Sequence, residues 1–187
     1  MVAQVKPQEQ QFEGSLFNQE ITWEYSPSAI VYALVGLRLV MGWALFQSGI
    51  AKVLDPTWSA AGFLQNVSEG NPFPGLWAAF AGNPTIDFLV AWGLTLTGLG
   101  LILGALVRWN AFWGAFIMLM FWLASLQGGL TQFLPLEDGW VVDQHIVYAV
   151  LLFGLGAFGA GRVLGLDAVL EKTHLARRNR WLKYLLG

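Results

Sequence analysis

Apolar residues collect in four blocks along this chain, at 30–54, 86–107, 109–126 and 142–160. The first is long enough to cross a hydrocarbon core of about 30 Å as a tilted helix. The fourth is the weakest, because Asp143 and His145 polarise its start. Arg108 and its neighbours leave almost no chain between the second and third blocks, which predicts a tight antiparallel helical hairpin. The pattern predicts an all-α polytopic membrane protein. Its body is a four-transmembrane-helix antiparallel bundle over 30–165, between a polar segment at 1–29 and a tail at 166–187.

Between the first two blocks, 55–84 is rich in Gly, Pro and Trp. Its "NPFPG" and "GNP" are turn signals. Its "TWSAAGFLQNV" predicts a short extracytoplasmic helix, with aromatics suited to a membrane interface. The segment is expected to pack on the outer surface of the bundle. In the tail, Asp167 is a candidate N-cap. There Lys172, Arg177, Arg178, Arg180 and Lys183 interleave with Leu170, Leu175, Trp181, Leu182 and Leu185. That predicts a basic amphipathic helix lying on an anionic membrane surface. Docking on the protein's own base is the alternative.

Composition supports the membrane reading. The 187 residues are 56% hydrophobic and only 12% charged, where a soluble domain carries about 25% charged residues. Mean hydropathy is +0.54. With no cysteine, disulfides, thiol redox chemistry, Fe–S ligation and covalent haem attachment are excluded. The two histidines are His145 and His174, the second in the polar tail, so a haem held between them is not expected. No cofactor is expected within the chain, and an electron-transfer role would need a diffusible carrier or another subunit. Metal and nucleic-acid sites are not expected either. Residues 1–29 carry Glu9, Glu13, Glu20 and Glu24 against Lys6, unlike a secretory leader.

Four spans put both termini on one side, together with Lys6, Arg108, Arg162 and the basic tail. The other side has Lys52 against Asp55, Glu69, Asp87, Glu137, Asp138 and Asp143. The positive-inside rule then places both termini in the cytoplasm of a multi-pass cell-membrane protein.

Within the first block, Arg38, Gly42, Leu45, Gly49 and Lys52 are spaced 4, 3, 4, 3 and share one helix face. Glycines on that face admit a close neighbour helix, so the stripe points inward and Arg38 with it. A charge at mid-helix costs roughly 2.5–3.5 kcal/mol on insertion scales, so Arg38 is expected to snorkel or to bond carbonyls at helix C-termini. Lys52 is expected in an outer ion-pair network with Asp55, Asp87, Asp143 and His145. Further stripes are Gly93, Thr97, Gly100 and Gly104, and His145, Ala149, Leu152, Gly156 and Gly159, both expected in close helix packing. His145 is either a structural hydrogen-bonding group at a helix start or a proton acceptor beside a bound quinol.

The segments "LRLVMGWALFQSGIAKVLDP", "GLTLTGLGLILGALVRWNAFWG" and "DQHIVYAVLLFGLGAFGAGRVLGLD" resemble the DoxX family of small four-helix membrane proteins. The likeness is greatest to its DoxD-type branch, the small subunit of archaeal thiosulfate:quinone oxidoreductase, and covers about residues 30–168. It implies a membrane oxidoreductase subunit that helps pass electrons from thiosulfate to quinone with a second subunit. The charged positions matching the shared pattern are Arg38, Lys52, Asp55, Arg108 and Arg162. On this reading the catalytic candidates are Arg38, Lys52, His145 and Asp143. Candidates to contact a quinone head are Trp43, Trp92 and Arg38, with Trp122 a further ring. The acidic outer loops would slow a dianion such as thiosulfate, so a partner subunit would supply the anion site or the substrate differs. The alternatives are a non-catalytic scaffold or assembly partner and, more remotely, a permease. Expected partners are membrane lipids and a second oxidoreductase subunit; a homo-oligomer stays open.

Overall fold

The computed structural model describes residues 10–16, 19–67, 71–126, 142–179 and 181–187. Lys6, Glu9, Glu69, Glu137, Asp138 and Arg180, all used in the charge argument, lie outside the described residues. So do the side chains of Glu13, Glu20, Glu24, Leu175, Arg177 and Lys183.

Among the described residues, three helices are long and apolar enough to cross a membrane: α1 (Pro27–Leu54), α4 (Pro84–Leu103) and α5 (Val107–Ser125). Proline in the first turn starts α1 and α4, where a missing N–H costs nothing. Between them lie two short helices, α2 (Ala61–Asn66) and α3 (Pro74–Phe80), the first inside the predicted helical stretch. The fourth apolar block is shorter than expected. Its helix α6 (Gln144–Ala157) has 14 residues, roughly 21 Å at 1.5 Å per residue. It stops because Gly159 turns left-handed (φ 65°) and a single 3-10 turn, Ala160–Arg162, follows.

Two boundaries differ from the sequence pattern. The second block's helix ends four residues early, at Leu103, where Gly104 adopts φ 65° and caps α4 in the left-handed manner. Arg108 therefore belongs to the first turn of α5 and not to the connection. Ahead of α1, strands β1 (Gln10–Leu16) and β2 (Gln19–Tyr25) pair antiparallel. The all-α expectation thus holds from Pro27 onward, and the segment expected to be merely polar forms a hairpin. Its signal was the alternation of Ile21, Trp23 and Tyr25 with Thr22 and Glu24.

Helix α1 packs chiefly on α4, α4 on α5 and α5 on α6, and a smaller α1–α6 contact closes the bundle. Arg38, Met41, Gly42, Leu45 and Gly49 form the buried face of α1, as the 4-3-4 spacing predicts. A Cβ on Gly98 would strike the backbone of Phe46 and Gly42, and one on Gly49 the backbone of Thr95. Backbone contact at this range is what small residues permit in membrane helices. The stripe of Gly93, Thr97 and Gly100 turns away from α1 and meets Ile117, Gly114 and Asn110 of α5.

At the end of the bundle that holds Arg38, the chain is stitched by backbone. Leu166 N donates to Leu103 O and Asp167 N to Gly104 O. Asp167 is fully buried and caps a helix other than its own. Its carboxylate accepts from Leu106 N (2.7 Å) and Val107 N (2.9 Å) at the start of α5, and from Gly187 N (3.0 Å). Hydrogen bonds to a buried charge are strong and costly to leave unmade. Asp167→Ala should lower unfolding free energy by about 2 kcal/mol, read from denaturation in detergent, with Asp167→Asn intermediate.

The tail is not one amphipathic helix. It forms α7 (Asp167–Leu170), α8 (His174–Arg178) and α9 (Leu182–Leu185). Thr173 interrupts it: its hydroxyl donates to Leu170 O and accepts from Ala176 N, starting a new turn. Ala176, Leu186 and Gly187 are buried, and α9 contacts α5. The tail therefore docks on the base of its own bundle, the alternative reading of its basic-apolar pattern.

Candidate functional site

The opposite end of the bundle, around Lys52, holds a cavity of about 580 Å³, within the range of small-molecule sites. Its walls come from the last turn of α1, the 55–80 segment, the start of α4, the end of α5 and His145 of α6. Trp58, Trp77, Phe80, Phe116 and Phe121 give it an aromatic lining, and Lys52 and His145 are its ionisable groups.

Local hydrogen bonds hold the loop segment against the helices. Asp55 accepts from the N–H (2.9 Å) and hydroxyl (2.7 Å) of Thr57, turning the chain directly after α1. These bonds hold the Asp55 carboxyl below its ordinary value. The turn brings the Trp58 ring to 5.6 Å from Lys52 Nζ, a cation–π contact. Asp87, in the first turn of α4, accepts from Ala60 N at 2.9 Å. Asn71 is a buried hub. Its amide donates to Leu123 O and Leu126 O at the end of α5, both at 2.9 Å. Its Oδ1 accepts from Phe73 N (2.8 Å) and Trp77 Nε1 (2.9 Å). Trp77 is thereby fixed in the wall, 3% exposed.

The expected outer ion-pair network does not form among the described residues. Asp55 and Asp87 are occupied by the bonds just described, and Lys52 Nζ donates to Ser48 O (2.9 Å) and Ser48 Oγ (3.0 Å). Only Asp143 and His145 pair there, Oδ2 to Nδ1 at 2.6 Å. Asp143 is also the N-cap of α6, accepting from His145 N and Ile146 N. Partial burial pushes its carboxyl up. The hydrogen bond from the His145 ring and those from the helix N–H groups outweigh this and hold it below the ordinary 3.8. A carboxylate so depressed stabilises the fold at every pH above its ordinary value, and the contribution is lost as pH falls through the folded value. Wild type should exceed Asp143→Asn in thermal midpoint by a clear margin above about pH 4. The margin should close below it, followed by thermal melts across pH.

Through Nδ1–H to Asp143, the neutral imidazole is fixed in the tautomer whose Nε2 accepts. Phe121 meets the ring edge-on at 5.8 Å between centroids. A base oriented by a carboxylate beside an apolar cavity can exchange a proton with a bound hydroxyl or carbonyl. No group of three or more His, Asp or Glu side chains gathers among the described residues.

The remaining candidates lie elsewhere. Arg38 is at the far end, 2% exposed. It donates from Nη1 to Ala160 O (2.6 Å) and Val163 O (2.9 Å), and from Nη2 to Leu164 O (3.1 Å). This is the expected bonding to carbonyls beyond a helix C-terminus, and it leaves Arg38 no reach to the cavity. Trp43 and Trp92 do not line the cavity either. They face outward, 59% and 39% exposed, as rings packed beside Phe46 and Phe88. Nor does Trp122 line it. The tryptophans that line the cavity are Trp58 and Trp77. Their signal was the aromatic content of 55–84, read as packing on the bundle without a cavity beneath. Arg108 and Arg162 lie at the Arg38 end, the first donating to Gly156 O (3.3 Å) and the second paired with Glu171 (2.7 Å).

No protein-family model, curated protein or solved structure matches this chain.

Proposed function

We propose that this chain is a multi-pass membrane subunit of a quinone-linked oxidoreductase, and that the aromatic cavity receives the quinone head. The observation that carries the reading is the pairing of an apolar, aromatic cavity with one cation, Lys52, and one carboxylate-oriented base, His145. In this reading α6, extended by the 3-10 turn behind it, is the fourth span of an antiparallel bundle. Both termini lie in the cytoplasm and the cavity opens toward the opposite face. A quinone reduced there takes up two electrons and two protons. Lys52 stabilises charge developing on one carbonyl oxygen; His145, first protonated at Nε2 from solvent to an imidazolium that Asp143 stabilises, gives one proton to the reduced ring, and solvent supplies the other. The electrons come from a second subunit, which binds the donor. Thiosulfate is the donor that the resemblance suggests, and the acidic residues near the cavity are a reason for it to bind on the partner.

Trp58 and Trp77 line the cavity, so a short-chain quinone should quench tryptophan emission saturably in the purified protein. Val90→Phe, which adds a ring to the lining, should weaken that quenching at least tenfold. If quinone quenches neither protein and reduction in native membranes is unchanged by deleting the chain, the proposal fails and a non-catalytic scaffold stands in its place.

A further inference from the structure

A second depression lies on the side of the bundle near the Arg38 end, between α5 and α6. It measures about 460 Å³ and is lined by Arg108, Ala111, Phe112, Ala115, Phe153, Gly156 and Ala157. Its floor is smooth because Ala111 and Gly156 are in contact: a Cβ on Gly156 would lie 3.0 Å from that of Ala111. Phe112 and Phe153 stand beside it, 61% and 71% exposed. One end of this apolar groove carries a full positive charge.

Among the described residues that charge, on Arg108, has no ion-pair partner, whereas Arg162 has Glu171. Asp167, a buried carboxylate at this end, accepts from Leu106 N, Val107 N and Gly187 N. The hydrogen bond from Arg108 Nε to Gly156 O is long, at 3.3 Å. Arg108 also occupies the first turn of α5, where a cation opposes the helix dipole. Its position is unfavourable for the helix taken alone, and an anion from outside would reverse the sign of the interaction.

We propose that this groove binds one anionic phospholipid, with its phosphate on Arg108 and an acyl chain along Ala111, Ala115 and Gly156. A guanidinium recognises phosphate bidentately and desolvates more readily than an ammonium. Charge complementarity selects the occupant: a zwitterionic lipid brings its own cation, and a partner helix would need a carboxylate aimed at the same point. The basic residues of this end also favour the leaflet richer in anionic lipid. The site is independent of whatever fills the aromatic cavity.

The test equilibrates the full-length protein in detergent with equal amounts of phosphatidylglycerol and phosphatidylcholine. Retained lipid is then counted by native mass spectrometry. Wild type should keep one phosphatidylglycerol with at least tenfold preference. Arg108→Gln should bring the preference below about twofold, while Arg178→Gln, an exposed position in the tail, leaves it unchanged. Ala115→Phe keeps the guanidinium but blocks the acyl path, so it should also abolish retention and decides the matter should Arg108→Gln fail to fold. Equal retention of the two lipids by wild type, or undiminished retention by both groove variants, would overturn the proposal. Displacement of the lipid by millimolar glycerol phosphate would also overturn it, by showing a headgroup site without an acyl component.

Discussion

Replacing Arg38 by leucine is expected to destabilise the protein by about 3–5 kcal/mol, the range for removing one partner of a buried charged network. Three carbonyls, of Ala160, Val163 and Leu164, would lose their donor in a site with almost no solvent. Leucine cannot be compensated by closer packing, because the pocket is backbone on several sides. A Cβ on Gly104 or on Gly165 would already lie 2.8 Å from Arg38 Nη1. Lysine should recover part of the loss, as a single ammonium reaches fewer of three divergent acceptors. Arg178→Leu, at an exposed tail position, should change stability by less than about 0.5 kcal/mol. Thermal unfolding in detergent, with yield of folded protein as a second measure, separates the two. Equal behaviour of Arg38→Leu and Arg178→Leu would show that the guanidinium does not hold this end together.

The same residue shows what sequence periodicity can reach. Spacing alone put Arg38, Gly42, Leu45 and Gly49 on one inward face, because a helix in lipid has few ways to bury a charge beside glycines. Counting glycines in α4 found one real face, toward α5, and missed the other, toward α1, where Gly98 stands alone among larger residues. Helix ends were less legible. Gly104 and Gly159 each end a helix by turning left-handed, but glycine is too frequent in these spans to mark a terminus by itself. The cavity was not visible at all. It depends on Asn71 joining the loop to the end of α5, a contact across more than fifty residues that no local pattern encodes. The tail's charge pattern suits a membrane surface and says nothing of the buried carboxylate of Asp167, which ties its start and its last residue to the bundle.

Changes at the aromatic cavity should separate binding from chemistry. His145→Gln should lower the turnover of quinone reduction by 10²–10⁴, the usual worth of a positioned general acid–base, while leaving the half-saturating quinone concentration within about twofold. Asp143→Asn should cost about tenfold, since it removes the group that fixes the tautomer and supports the imidazolium. Lys52→Met should instead act mainly on affinity. Lys52 is held by Ser48 and Trp58, so its removal disturbs no carboxylate, and a bound oxygen loses one charged donor worth about 1.5–3 kcal/mol. That corresponds to a 10–150-fold weaker half-saturation. The measurement is quinone reduction in membranes carrying each variant in place of the native chain, with fluorescence quenching to follow binding alone. A structural role for His145 predicts a different outcome, in which Gln lowers the thermal midpoint and spares turnover per folded molecule. If turnover per folded molecule is unchanged in His145→Gln, the ring is only a helix-start fixture and the chemistry assigned to this cavity belongs elsewhere.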